Sequence, residues 1–185
     1  MNPPGITRHR RPFLAPLWLT LLAALIVAGI AYSAWRGATS SIVVLASTGE
    51  KDPGTIDDPP ISAEGEQRAQ RLAQLFAGGG GPGRLDALYV SSERRAQQTA
   101  APLAERLHLT VSVFAVQEAA ATAAGLLRNR DGAAVLVVAG GAAVQQLLRQ
   151  LAGTAAAADS ASEPDLLYIV SVPTVGRPHV LRLKY

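Results

Sequence analysis

After a short arginine-bearing tail the chain runs through a long uncharged apolar stretch and then alternates short apolar runs with amphipathic ones. Residues 12–35 contain no charge, and their core reads Leu17-Trp-Leu-Thr-Leu-Leu-Ala-Ala-Leu-Ile-Val-Ala-Gly-Ile-Ala31. At about 1.5 Å per residue, a helix of that length crosses a bilayer core of about 30 Å with some tilt. It is apolar all round, unlike a helix laid on a globular core. Trp18, Tyr32 and Trp35 fall near its ends, where amphipathic rings prefer the interface.

Beyond it, residues 41–46 (Ser-Ile-Val-Val-Leu-Ala) predict a buried strand. Residues 62–76 place Ala69, Leu72, Ala73 and Phe76 at helical spacing, with Ser62 as the start signal. The glycine-rich run 78–83 reads as a connector. Strand 85–90, helix 93–107, strand 109–116 and helix 119–130 follow. The wholly apolar run 133–138 is expected at the centre of a parallel sheet. A helix over 142–151, a low-complexity loop over 154–164 and a hairpin of 166–172 with 179–183 around Gly176 complete the chain. The alternation predicts an α/β fold: a three-layer αβα domain with a mostly parallel sheet, preceded by one transmembrane helix. The expected organisation is a cytoplasmic tail 1–11, an anchor 12–35, a linker 36–40 and a domain 41–185.

Charge orients the anchor. Arg8, Arg10 and Arg11 precede it and Arg36 alone follows it. Positive-inside reasoning keeps the tail in the cytoplasm and sends residues 37–185 outside, periplasmic or extracytoplasmic. A cleaved signal peptide is the alternative, because Ala31-Tyr-Ser33 offers small residues at the required spacing; the length of the apolar stretch favours an uncleaved anchor. Residues 37–185 hold 13 Lys and Arg (17 − 4) against 14 Asp and Glu, a net charge of −1. No basic face of the kind nucleic acid requires is visible, so no nucleic-acid partner is expected. The chain has no cysteine, which excludes a disulfide scaffold, a thiolate metal site and a cysteine nucleophile. No metal or cofactor is expected.

In such folds ligands sit beyond the carboxyl ends of the strands, which gathers residues 47–50, 91–95 and 139–141 on one rim. The first turn reads Ser47-Thr48-Gly49-Glu50, followed by Lys51 and, further on, Asp58-Pro59-Pro60-Ile61-Ser62 and Gly65. The second reads Ser91-Ser92-Glu93-Arg94-Arg95-Ala96-Gln97-Gln98-Thr99-Ala100, and the third Val137-Val138-Ala139-Gly140. In order and spacing, these blocks and the ending Val180-Leu-Arg-Leu-Lys-Tyr185 resemble the histidine phosphatase (phosphoglycerate mutase-like) superfamily, in particular its small phosphohistidine-phosphatase-like members. The resemblance covers residues 41–185.

That resemblance implies a neutral imidazole at the end of the first strand that attacks phosphorus. Two arginines and a second histidine would hold the transferred oxygens, and a carboxylate would protonate the leaving group. Against the family pattern Arg-His-Gly-Glu, this chain has Ser47 at the first arginine and Thr48 at the nucleophile. Gly140 stands where the second histidine would be, Arg95 is retained, and Glu118 matches the acid. No catalytic residue is therefore expected, and the implied ligand-binding set is Thr48, Gly49, Arg95, Gly140 and Gly141. His9, His108 and His179 all fall away from the rim.

Bland roles stand beside these. Arg95 is either an anion ligand at a helix start or an ion-pair partner of Glu50, Asp57 or Asp58. Thr48 reads as a polar turn residue, and Gly49, Gly140 and Gly141 as turn glycines. Residues 50–52 read as a solvated edge. Two function classes follow: an inactive pseudophosphatase that binds a weak phosphate or anion ligand or a protein partner, and a divergent phosphatase using Thr48 or an activated water.

Overall fold

The computed structural model describes residues 17–37, 40–54, 57–79, 83–128, 132–154, 166–173 and 176–185. Two compact units emerge, Met1–Gly37 and Ala38–Tyr185. The tail 1–11 with His9, the middle of the 78–83 connector and nearly all of the 154–164 loop lie outside the described residues.

The first unit contributes helix α1, Leu17–Gly37. Its described side chains, residues 18–33, are all exposed, among them Trp18, Leu21, Leu25, Ile26, Val27 and Ile30. Among the described residues no helix is long and apolar enough to cross a membrane. The structure thus does not itself supply the predicted span over 12–35, of which residues 12–16 are undescribed.

The second unit is an α/β domain. Its strands are β1 (Ser40–Ser47), β2 (Ala87–Ser91), β3 (Val111–Phe114), β4 (Ala134–Ala139), β5 (Leu166–Pro173) and β6 (His179–Lys184). Its helices are α2 (Ala63–Ala77), α3 (Arg94–Leu107), α4 (Ala119–Arg128) and α5 (Gly141–Ala152). The sheet order is β3-β2-β4-β1-β5-β6. The pairs β3/β2, β2/β4 and β4/β1 are parallel, and β1/β5 and β5/β6 are antiparallel. The mostly parallel sheet is as expected, closed at one side by the predicted hairpin.

Burial follows the strand period of two. Val43, Leu45, Val135 and Val137 pack with α4 and α5 through Ala123, Val144 and Leu147. Val44, Ala46, Leu136 and Val138 pack with α2 and α3 through Leu72, Phe76, Ala100 and Leu103. Every residue of β4 is buried, as its unbroken apolar run requires of a strand covered on both faces. Ser62 caps α2 as expected, its Oγ accepting from the Gly65 N–H at 3.2 Å. β3 is shorter than the predicted 109–116, because residues 116–118 wind into a 3-10 turn.

Candidate functional site

β1 and β4 run parallel and in register, Ser47 opposite Ala139, so their carboxyl ends finish together. The Thr48 N–H extends that ladder by donating to the Ala139 carbonyl at 3.1 Å. One residue on, the Gly49 N–H donates to Thr99 Oγ1 at 2.9 Å, and Thr99 Oγ1 donates to the Arg95 carbonyl at 2.7 Å. These bonds lock the turn after β1 to the first turns of α3 and to the end of β4. Thr48, Gly49, Arg95 and Gly140 are thereby brought to one rim, as the sequence predicts.

Gly49 is required by a close approach. A Cβ there would lie 3.0 Å from Gly65 Cα, and one on Gly65 would lie 2.9 Å from the Glu50 carbonyl oxygen. The turn and the start of α2 are thus in backbone-to-backbone contact. The loop before α2 is tied to α3 as well. Asp58 Oδ1 accepts from the Arg94 N–H at 3.0 Å, and Gln98 Oε1 accepts from the Ile61 N–H at 3.0 Å. Asp58 therefore satisfies a backbone donor in the first turn of α3.

Two charged residues that the sequence reading left out organise the rim. Arg68, on α2, is 1% exposed. It pairs with Glu50 Oε1 at 2.6 Å and donates a second bond to the Thr48 carbonyl. The solvated edge expected at residues 50–52 is therefore corrected at Glu50. Its carboxylate turns inward to a buried guanidinium, because that cation must be compensated. Glu93 is the second. It is the N-cap of α3 but makes no side-chain cap bond. Its Oε2 instead accepts from the Gly140 N–H and from Ser91 Oγ, each at 3.0 Å.

Glu93 also corrects the reading of Gly140. The residue has φ −60° and ψ 152°, a conformation open to any side chain. A side chain there would instead meet the carboxylate: a Cβ at Gly140 would lie 2.7 Å from Glu93 Oε2, so the flexible Glu93 side chain would have to move aside. Gly141 needs no glycine either, since a Cβ there meets nothing within 4 Å.

Arg95 is half-buried, with a buried Nε that has no hydrogen-bond partner. Among the described residues it forms no ion pair: Glu50 is engaged by Arg68, and Asp58 accepts from the Arg94 backbone. Asp57, the third partner weighed, makes no ion pair with Arg95 either, so among the described residues the ion-pair alternative finds no support. Thr48 is 7% exposed, and its hydroxyl makes no hydrogen bond among the described residues. Glu118 ends the 3-10 turn after edge strand β3, exposed. His108 closes the far end of α3, and His179 starts β6 opposite Ser171, also away from the rim. A groove of about 550 Å³ between α2 and α3 is lined by none of Thr48, Arg95 and Gly140. The rim is marked by converging polar groups.

Comparison with curated proteins gives no sequence match. Residues 46–118 match the family model of the histidine phosphatase superfamily (branch 1). Among solved structures, the fold is similar to that of the protein histidine phosphatase SixA complexed with tungstate. The TM-score is 0.63 and the identity 18%, over 77% of this chain and 96% of that one. It is also similar to mycobacterial hydrolase 1, with TM-score 0.63 and 17% identity over 79% and 99% of the two chains. A mycobacterial glucosyl-3-phosphoglycerate phosphatase gives TM-score 0.60 and 15% identity over 76% and 97%. Residues 46–118 are thus similar to the histidine phosphatase superfamily, and the second unit shares the fold of these solved phosphatase and hydrolase structures.

Proposed function

We propose that this chain is a membrane-anchored pseudophosphatase: a histidine-phosphatase-like domain that binds an anion or a protein partner without turning over phosphate. The observation that carries this reading is the state of Thr48. Family chemistry needs a nucleophile at the end of the first strand, and a hydroxyl serves only when a base takes its proton. The Thr48 hydroxyl has no hydrogen-bonded base among the described residues, and no histidine there stands at the rim. With Ser47 and Gly140 in place of the family's charged and imidazole groups, little remains to stabilise a transferring phosphoryl group.

What remains is binding. Arg95 offers an uncompensated cation at the start of α3, where helix N–H groups add to it. One arginine without its partners supports weak affinity, about millimolar. Phosphate titration followed by 31P relaxation should show weak saturation in wild type and a loss of most of it in Arg95→Ala. Equal saturation in both proteins would make Arg95 structural.

The anchor reading rests on the uncharged stretch 12–35, the three arginines before it, and the exposed apolar side chains of α1. In cells whose outer layers have been removed, external protease should digest residues 37–185 while the chain resists extraction by alkaline washing. Protection of the domain would reverse the orientation, and release of the protein would remove the anchor.

A further inference from the structure

Both described hydrogen bonds of the Glu93 carboxylate are made away from its own helix. Oε2 takes the Gly140 N–H and the Ser91 hydroxyl, and both oxygens lie within 3.0 Å of where a Cβ on Gly140 would stand. Gly140 is the N-cap of α5, a helix of 12 residues. The unpaired N–H groups and dipole at such a start attract negative charge. That place is already taken by an anion belonging to the chain.

We propose that Glu93 is the specificity-determining residue of the rim: it fills the α5 end with a carboxylate and so excludes inorganic phosphate and other tetrahedral dianions. The inference rests on the reading of the rim as a non-catalytic anion site. Three physical effects act together. The carboxylate uses the Gly140 donor, its volume covers the turn, and its charge repels a dianion approaching Arg95, two residues along the same helix start. Specificity built by repulsion of this kind leaves Arg95 available only to ligands that do not reach α5.

The test is a phosphate titration by 31P relaxation on the full chain in detergent micelles. It compares wild type, Glu93→Ala, Glu93→Gln and the double variant Glu93→Ala/Arg95→Ala. Glu93→Ala should bind phosphate at least about tenfold more tightly than wild type, the scale expected when a juxtaposed like charge is removed. Glu93→Gln should gain less, because its amide oxygen still accepts from Gly140 while the charge is gone. Glu93→Gln also keeps the side-chain volume, so it carries the test if the alanine variant does not fold. Wild-type affinity in Glu93→Gln and in any folded Glu93→Ala overturns the proposal, and so does the absence of binding in every variant. If the double variant binds as tightly as Glu93→Ala, Glu93 keeps its role and Arg95 loses the one assigned under the proposed function.

Discussion

Replacing Arg68 with alanine is expected to destabilise the domain by about 3 kcal/mol, the scale for removing one partner of a buried pair. Arg68 is 1% exposed and holds two acceptors from different positions of the turn, Glu50 Oε1 and the Thr48 carbonyl. Without it, a carboxylate and a carbonyl lose their donor, and Glu50 Oε2 is already buried without one. Glu50 is 33% exposed, so water recovers part of the loss. Arg68→Lys should rescue little, because an ammonium cannot fork between the two acceptors. The double variant Arg68→Leu/Glu50→Leu should lose less than Arg68→Ala, since no unpaired charge is left behind. Urea unfolding measures all three. An Arg68→Ala cost below about 0.5 kcal/mol, the size of an ordinary surface substitution, would show that the pair does not hold the turn.

The second large effect concerns restoration. Writing the family pattern back as Ser47→Arg, Thr48→His and Gly140→His is expected to give little phosphomonoester turnover while Glu93 remains. A side chain at position 140 needs the space that the Glu93 carboxylate occupies, and the displaced carboxylate still repels substrate. Adding Glu93→Leu should raise turnover about a hundredfold, the contribution of one well-placed donor to a developing charge. Hydrolysis of p-nitrophenyl phosphate by the triple and quadruple variants decides it. Equal rates would mean that Glu93 does not obstruct the rim.

Much of the fold was legible because local patterns and tertiary burial agree. The unbroken apolar run of β4 became the fully buried central strand, and the spacing of Ala69, Leu72, Ala73 and Phe76 became the buried face of α2. Ser62 ended up where a cap is needed. The rim was legible too, since its three turns all follow strands of one sheet. Its wiring was not. Arg68 lies on the same stripe as Gly65 and Leu72, and that placement was the available signal. An arginine there reads as solvated until its acceptors, 18 and 20 residues away, are known. Glu93 and Gly140 meet across 47 residues, so nothing local distinguishes Gly140 from a turn glycine. The end of β3 was overrun because Val116 continues the apolar alternation while the backbone has already turned.

The most direct measurement of the central claim is phosphomonoester hydrolysis by the full chain beside its Thr48→Ala variant. Thr48 has no base to activate it and Gly140 is covered by Glu93, so both proteins should hydrolyse p-nitrophenyl phosphate at the rate of buffer alone. Wild-type turnover above that rate, lost in Thr48→Ala, would contradict the account and make this domain a phosphatase with a threonine at its centre.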